Sequence, residues 1–444
     1  HRRRAAAHLH HLVMGDAQVL AFGRCSHDTV ARQVRQSPCG AFGQTFGVVV
    51  HLAEQKVDLP FFLIVIALLV MGIVMMFSAS YAWAIAEGKE GSYYAVSQMK
   101  NAGLGLVLML FLCMVDYHFF QKKLIAIGAY VLPLILLVMV FIPGIGVTDG
   151  GATRWIAIGS FNFQPSETMK IGMVIFYSYV ITKNYDNMRY FLRGMLPMLL
   201  ALLVPAALLI KEPHISATAL IVMTCIILIF VGGVNLKQFL LIGVIGAAGA
   251  LLVVSIMSRN YDYIQKRIQS WVDPFADSQG NTWQTCQSLI AIGSGGLFGL
   301  GLGESRQKYL YLPETKNDFV FSIVCEELGL VGALTVVLLF TLLVIRGFYI
   351  AMRAKDKFGM LMAIGLTSHI GLQAFFNIAV VSNLIPNTGI SLPFFSYGGT
   401  ALILQLAEMG IVLNISRVRY QSPQRVPAAE RAPQAEVQLQ GGNA

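Results

Sequence analysis

Tyr311 to Gly332 reads YLPETKNDFVFSIVCEELGLVG, and here a long polar segment turns into an apolar helix. Asp318 stands at the start of that helix, whereas Glu326 and Glu327 stand inside it. At about 100° per residue, Asp318, Ser322 and Glu326 share one broad face, and Glu327 points to the far side. Charge at membrane depth is costly, and a functional site is the usual reason to keep it there. The alternative is a helix cap at Asp318 and structural ion pairs for the two glutamates.

The composition of the chain is that of a membrane protein. Of its 444 residues, 56% are hydrophobic and only 12% are charged, and the mean hydropathy is +0.66. Soluble domains carry about 25% charged residues. The net charge of +9 lies largely in loops and tails, so it does not indicate binding to nucleic acid. The spacing of the cysteines fits neither a metal site nor an evident disulfide.

Ten stretches are long and apolar enough to cross about 30 Å of hydrocarbon at about 1.5 Å per residue. We therefore predict an all-α polytopic membrane protein with about ten transmembrane helices over residues 58–417. A large loop, 259–317, separates helices seven and eight. Residues 1–57 are expected to be a disordered or non-native arm, and 418–444 a disordered tail. The predicted spans are approximately 59–83, 98–116, 122–142, 165–184, 192–210, 215–233, 238–258, 318–346, 358–383 and 396–416.

Basic residues alternate between the predicted loops and indicate the orientation of the chain. They are concentrated in every second loop and after the last span, so the positive-inside rule predicts that these loops and both termini are cytoplasmic. The outward-facing segments are then 143–164, 211–214, 259–317 and 386–393. Asp318 lies on the same outer side. The basic residues are Lys122, Lys123, Lys183, Arg189, Arg193, Lys237, Arg346, Arg353, Lys355, Lys357, Arg417 and Arg419.

The long loop contains two patterned segments. Tyr261, Ile264, Ile268 and Trp271 recur at helical spacing, which predicts an amphipathic helix that lies on a membrane surface or packs on the protein. Residues 293–303, GSGGLFGLGLG, lack the Gly-Lys-Ser/Thr ending of a phosphate-binding loop. We expect these glycines to let the backbone approach a lipid or another segment closely.

Two polar clusters lie between the third and fourth predicted spans. Arg154 presents a fork of donors that matches phosphate oxygens, and Trp155 either contacts the substrate or anchors the membrane interface. The second cluster, FQPSETMK at 163–170, opens the fourth span. Because Glu167 and Lys170 are three residues apart on one helical face at membrane depth, a structural ion pair is the favoured role for them.

Two further polar clusters lie in and after the ninth predicted span. His369, Gln373 and Asn377 recur every four residues and form one stripe, which in lipid must face the protein interior. The segment 386–399, PNTGISLPFFSYGG, is uncharged and rich in helix breakers. Such backbone is tolerated at membrane depth only when it is buried or lines a cavity. The clusters together predict an outward-facing cavity for an amphiphile with an anionic head.

In this order the motifs resemble those of the SEDS family (shape, elongation, division and sporulation), whose members include FtsW, RodA and SpoVE. The resemblance extends over about 58–417 with ten spans. It rests on RWI at 154–156, FQPSE at 163–167, GGLFGLGLG at 295–303, LPE at 312–314, DF at 318–319, EELG at 326–329 and PNTGISLPFFSYGG at 386–399.

The resemblance implies a peptidoglycan glycosyltransferase that polymerises lipid II on the outer face of the bacterial plasma membrane. It also implies partners, namely the nascent glycan strand, a class B penicillin-binding protein that crosslinks it, and other division proteins. The family's catalytic aspartate corresponds to Asp318, which as general base would take the proton of an acceptor hydroxyl. Inversion at the anomeric carbon is expected because no enzyme nucleophile is required.

The growing charge on the leaving lipid diphosphate needs a cation, and Arg154, Lys170 or a bound Mg²⁺ or Mn²⁺ ion could supply it. The ligands of such a metal ion are not evident in the sequence. The residues predicted to bind the substrate are Arg154, Trp155, Gln164, Ser166, Glu167, Lys170, Glu326, Gln373, Asn377, Ser396 and Gly398.

The chain departs from the family pattern at two places. Thr315-Lys-Asn317 stands where the family often has Ala-His-Thr, and this lysine would either favour the charged form of Asp318 or face the headgroups. Pro213-His-Ile-Ser216 replaces Pro-Asp-X-Gly, which removes an acid that Glu212 could cover. The competing functions are a lipid II flippase and a scaffold without catalysis. A division role of the FtsW or SpoVE type is favoured over elongation of the RodA type by the Glu212-Pro-His run and the tail.

Overall fold

The computed structural model describes residues 57–417 except for 150–151, 159–160, 213, 281 and most of 242–261. The predictions for the N-terminal arm, the C-terminal tail and most of the seventh span fall outside the described residues. The described part is mostly helical, as predicted. Its helices are α1 (Leu59–Ala86), α2 (Tyr93–Met114), α3 (Lys123–Met139), α4 (Pro165–Lys183), α5 (Leu196–Lys211), α6 (Ile215–Val231), α7 (Asp262–Val272), α8 (Trp283–Ser294), α9 (Val320–Met352), α10 (Lys357–Val381) and α11 (Gly399–Arg417).

Several of the described helices are suited to a membrane. Six are long and apolar enough to cross it, namely α1, α2, α9, α10, α11 and α5 together with the preceding π-helical turn Phe191–Met195. The helices α3 and α6 are equally apolar but shorter, at 17 residues each. The 19 residues of α4 include three charged side chains, Glu167, Lys170 and Lys183, and the first two are buried. The chain is therefore a multi-pass membrane protein.

Glycines bring neighbouring helices into backbone contact. A Cβ on Gly410 of α11 would overlap the carbonyl oxygen of Met109 in α2, and a Cβ on Gly172 of α4 would overlap the carbonyl oxygen of Ala129 in α3. Lipid tails are as apolar as the side chains, so helices in a membrane associate mainly through such close packing.

The first and last described helices meet at one end of the bundle. The carboxylate of Asp58 accepts two hydrogen bonds of 2.9 Å from Arg346, and its backbone N–H donates to Ser416 Oγ at 3.1 Å. The chain therefore starts α1 and finishes α11 at the same end, which requires an even number of membrane crossings between them. The side of the membrane that this end faces stays a prediction.

The segment between α3 and α4, which the sequence predicts as an outward-facing loop of an all-α protein, is a three-stranded antiparallel sheet. Its strands are β1 (Gly146–Asp149), β2 (Ala152–Ile158) and β3 (Phe161–Phe163). Val147 pairs with Trp155, and Ile156 pairs with Phe163. Aromatic and β-branched residues suit a pleated surface, and this short alternation was missed because the apolar spans on either side dominate the pattern.

The long loop is more regular than the sequence predicts. The amphipathic helix is confirmed as α7, and it packs on the protein, because Arg267 donates to Asn387 O at 2.7 Å and Asn383 donates to Trp271 O at 3.1 Å. A second helix, α8, contains the buried Cys286 and was not predicted.

The glycine-rich segment that follows α8 packs directly on α9, as expected of a close backbone approach. A Cβ on Gly295 would overlap the carbonyl oxygen of Cys325. Helix α9 is interrupted at Gly329, whose φ of 64° lies in the left-handed region. The next residue, Leu330, donates its N–H to Gly296 O at 2.9 Å, so the interrupted helix and the glycine segment satisfy each other's backbone groups.

Candidate active site

Asp318 lies in the turn that leads into α9. The N-cap of α9 is Phe319, which makes no side-chain capping bond, so the interpretation of Asp318 as a helix cap is wrong. The carbonyl of Asp318 accepts a hydrogen bond of 2.7 Å from Asn377 Nδ2, and the same amide donates to Ile390 O at 2.6 Å. Asn377 therefore joins the start of α9 to α10 and to the segment 386–399.

Two residues in the left-handed region shape the surroundings of the carboxylate. Glu314 has φ 55°, and its carbonyl accepts hydrogen bonds from the N–H groups of Asn317 at 3.0 Å and Phe319 at 3.3 Å. Gly389 has φ 68°, and a Cβ there would lie 3.2 Å from Asp318 Oδ2. The backbone of the segment 386–399 is thus close to the carboxylate of Asp318.

The surroundings of Asp318 raise its pKa above that of an ordinary aspartate. Burial, followed by the negative charge of Glu314, raises the pKa of Asp318 to about 6. The positive charges of Arg267 and Arg154 act in the opposite direction. A carboxyl group with a pKa near the working pH can accept a proton during a reaction and release it afterwards.

Arg154 reaches the site from β2 and lies beside a buried acid and a buried histidine. Its Nε donates to Glu212 O at 3.5 Å. Burial raises the pKa of Glu212 to about 8, although Arg154 acts to lower it. Burial, followed by the charges of Arg154 and Lys170, lowers the pKa of His214 to about 3. Glu212 is therefore largely protonated at neutral pH and does not restore the charge of the aspartate that is missing from the family motif.

The ion pair predicted in α4 is present. Lys170 Nζ lies 2.8 Å from Glu167 Oε1, and the two side chains are 3% and 10% exposed. Lys170 also donates to Gln373 Oε1 at 3.3 Å, and Gln373 Nε2 donates to the carbonyl and hydroxyl oxygens of Ser391 at 3.1 Å each. The polar stripe of α10 faces the interior as predicted, and it connects α4 with the segment 386–399.

Five other predicted residues shape the same end of the bundle. Trp155 on β2 and Gln164, the N-cap of α4, are half-buried. Ser166 is buried, and its Oγ has no hydrogen-bond partner in the described part of the chain. Ser396 Oγ accepts a backbone N–H from within its own segment, and the carbonyl of Gly398 accepts one from the first turn of α11. Substrate contact by these five residues stays a prediction.

Glu326 and Glu327 both contact the segment 303–308. Glu326 Oε1 accepts the N–H of Arg306 at 2.9 Å, and Glu327 Oε1 lies 3.1 Å from Lys308 Nζ. The helical spacing predicts that these two carboxylates lie on different sides of the helix. In the structure, the segment 303–308 contacts both of them. A structural ion pair is confirmed for Glu327. The described contacts of Glu326 do not join it to Asp318.

Three residues near Asp318 were not among the predicted site residues. Arg267 could have been suspected from the amphipathic pattern of α7, and Glu314 from the LPE motif. Gly389 stands in the breaker-rich segment, but nothing in the sequence indicates which glycine would face the carboxylate. Long-range folding brings Arg267 and Gly389 to Asp318, whereas Glu314 belongs to the same turn.

The predicted divalent ion stays a prediction, and the described residues offer no metal centre built from protein side chains alone. No group of three or more His, Cys, Asp or Glu side chains among them could hold one. The cations that act on Asp318 are Arg267 and Arg154, whose charges oppose the entry of a divalent ion.

Comparisons with known proteins agree with this architecture. Residues 59–421 match the model of the FtsW, RodA and SpoVE family, described as "Cell cycle protein". The chain is 41% identical over 362 residues to stage V sporulation protein E of Bacillus subtilis, covering 81% of this chain and 97% of that one. It is 40% identical over 366 residues to the probable peptidoglycan glycosyltransferase FtsW of Trichlorobacter lovleyi, covering 82% and 94%.

Solved structures share the fold. One belongs to work on "structural coordination of polymerization and crosslinking by a peptidoglycan synthase complex"; it has a TM-score of 0.68 at 27% identity and covers 82% of this chain and 99% of that one. Another is the rod shape determining protein RodA of Thermus thermophilus, with a TM-score of 0.59 at 26% identity, covering 82% and 98%.

Proposed function

The chain belongs to the FtsW/RodA/SpoVE family of cell cycle proteins, and from that membership we propose that it is a peptidoglycan glycosyltransferase that polymerises lipid II. The names of its FtsW relatives support the reaction. The meeting of the predicted site residues at one end of the bundle supports a site at the membrane surface. This end faces outward and both termini are cytoplasmic, because the basic loops belong to the opposite end.

The proposed reaction is a direct displacement at the anomeric carbon of the donor. A hydroxyl oxygen of the acceptor sugar forms the new glycosidic bond while the bond from the anomeric carbon to the lipid diphosphate breaks. The diphosphate leaves with the electron pair, and the hydroxyl proton passes to Asp318. A single displacement inverts the configuration, because the acceptor attacks the face opposite the leaving group.

The observation that carries the proposal is the position of Asp318, which lies beside Gly389 of the segment 386–399 and in the electrostatic reach of Arg154 and Arg267. Its pKa of about 6 is compatible with the role of a base. Asp318 is deprotonated often enough at neutral pH to act as the base. Arg154 and Arg267, together with Lys170, are suited to the charge that grows on the leaving diphosphate, because fixed cations are most effective in a site that excludes water.

We further propose a division or sporulation role beside a class B penicillin-binding protein and other division proteins. The curated relatives with 41% and 40% identity are a sporulation protein and an FtsW, whereas the RodA structure is 26% identical. The similarity to a chain from a synthase complex that coordinates polymerization and crosslinking supports a transpeptidase partner.

The test is the polymerisation of purified lipid II by the protein together with its transpeptidase partner. Asp318→Asn should lower the rate of glycan synthesis by roughly 10²–10⁴-fold, because the amide cannot accept the proton. Asp273→Asn is the matched control, since Asp273 is an exposed acid of the same long loop. The control should retain the wild-type rate.

Two outcomes contradict the proposal. One is glycan polymer made by Asp318→Asn at the wild-type rate. The other is transport of fluorescent lipid II across liposomes that lack the partner, unaffected by Asp318→Asn and without polymer from the wild type. The second outcome favours the flippase.

A further inference from the structure

Lys316 lies two residues before Asp318 but points to a different partner. Its Nζ donates hydrogen bonds of 2.9 Å to Glu87 Oε1 and of 2.9 Å to Tyr94 Oη. Glu87 is the C-cap of α1, and Tyr94 lies in the first turn of α2. Lys316 is not among the charged groups that shift the pKa of Asp318. Its side chain instead joins the turn that carries Asp318 to the connection between α1 and α2.

Aromatic rings enclose the same ammonium group. Lys316 Nζ lies 4.1 Å from the ring centroid of Tyr94 and 5.2 Å from that of Trp83, both within the range of cation–π attraction. The side chain is only 15% exposed. Tyr397 donates its N–H to the carbonyl of Lys316 at 2.8 Å, and its ring packs edge to face on Tyr94. Both the side chain and the backbone of Lys316 are therefore held in place.

The turn has two more attachments, one on each side of Lys316. Thr315 Oγ1 donates to Ala79 O of α1 at 2.9 Å, and the carbonyl of Asp318 accepts from Asn377 of α10. Thr315 and Asn377 are neutral, whereas the contact between Lys316 and Glu87 is an ion pair. The side chains of Lys316 and Glu87 are 15% and 33% exposed, so salt screens this pair less than a fully exposed one.

We propose that Lys316 is a positioning residue for the glycosyl transfer. Its contacts with Glu87 and Tyr94 hold the turn 315–318 so that the carboxylate of Asp318 stays beside the segment 386–399. This inference rests on the proposed function, because that function makes Asp318 the reacting carboxylate.

Lys89 provides a matched control. Its Nζ lies 2.6 Å from Glu87 Oε2, the other oxygen of the same carboxylate, and its described contacts do not include the turn 315–318. Replacing either lysine with methionine removes one positively charged neighbour of Glu87. Only the change at Lys316 releases the turn.

The first measurement is backbone hydrogen exchange in the complex with the transpeptidase partner. Lys316→Met should speed exchange of the amides in residues 314–319 by about tenfold or more, because local opening of the turn becomes easier. Lys89→Met should exchange at the wild-type rate in the same peptide. Unchanged exchange in Lys316→Met, or equal acceleration in both variants, would overturn the inference.

The second measurement is the steady-state rate of lipid II polymerisation. Lys316→Met should lower kcat by roughly 10- to 100-fold and leave KM nearly unchanged, because a misplaced base slows the reaction without removing a substrate contact. Lys316→Arg should recover most of kcat, since it keeps a charge and donors that can reach Glu87. A change in KM without a change in kcat would contradict a positioning role. So would a Lys316→Arg variant with a kcat as low as that of Lys316→Met.

The two proposals fail in different ways. A wild-type complex that makes no glycan polymer from lipid II refutes the proposed function, and the exchange measurement then still decides whether Lys316 holds the turn. A fully active wild type with an equally active Lys316→Met variant refutes only the inference about Lys316.

Discussion

Asp318 is held between opposing influences that set its proton affinity. Burial and the charge of Glu314 favour the protonated carboxyl, and Arg267 and Arg154 favour the carboxylate. A base buried without cations would stay protonated at neutral pH, and a base with cations but fully exposed would bind protons too weakly. The balance yields a pKa of about 6, which suits proton transfer near neutrality.

The rate of glycan synthesis should therefore fall as the pH drops through about 6, because only the deprotonated carboxylate accepts the hydroxyl proton. Glu314→Gln should move this acid limb of the kcat/KM profile to lower pH, since it removes a charge that raises the pKa of Asp318 and keeps an oxygen to accept from Asn317. Glu304→Gln, at an exposed acid of the same loop, should leave the limb unmoved. A shift of the Glu314→Gln limb toward higher pH would contradict this electrostatic account.

Helix α9 is the element that positions the site. The glycine-rich segment before it, residues 293–303, accommodates the interruption of α9 at Gly329. The turn that leads into α9 carries Asp318, while the interruption at Gly329 exchanges backbone hydrogen bonds with the glycine segment. Backbone groups that leave a helix at membrane depth need partners from the protein, because lipid offers none. The contact is so close that side chains cannot enter it at Gly295 or Gly299.

Gly295→Ala should destabilise the protein by roughly 1–3 kcal/mol, because its Cβ would overlap the carbonyl of Cys325 and force the segment away from α9. Gly293→Ala, two residues earlier in α8, is the control, since a Cβ there meets nothing within 4 Å. The midpoint temperature of thermal unfolding in detergent should fall for Gly295→Ala and should stay unchanged or rise for Gly293→Ala. Equal midpoints for the two variants would show that the close contact is not needed.

At the scale of the whole molecule, the two ends of the bundle have different tasks. One end brings together the start of α1 and the end of α11 through Asp58, Arg346 and Ser416. The other end gathers the sheet, the turn after α5, the helix α7 and the segment 386–399 around Asp318.

Cysteine labelling of intact cells should separate the two ends. In a background with Cys25 and Cys39 replaced by serine, the native cysteines that remain are buried. Ser278→Cys, in the long loop, should react with a membrane-impermeant reagent from outside, and Lys355→Cys, between α9 and α10, should react only after the cells are opened. Both positions are exposed in the structure. Protection of position 278 in intact cells would reverse the proposed orientation.

The sequence by itself determined the class of the protein and the described spans, and it singled out Asp318 as the candidate base, a role that stays a prediction. Length and apolar composition are local properties, so α1, α9 and α10 could be located without any knowledge of their neighbours. The ion pair of Glu167 and Lys170 was equally accessible, because a spacing of three residues on a helix brings the two side chains together.

Only the tertiary structure decided which distant groups meet at Asp318. Arg267, Gly389 and Arg154 come from separate segments, and their approach depends on how the loops fold over one end of the bundle. The same cause placed Lys316 on Glu87, some 230 residues earlier in the chain, and turned Glu326 toward the segment 303–308. Periodicity reports the face of a helix on which a residue lies, but the partner on that face is set by long-range packing.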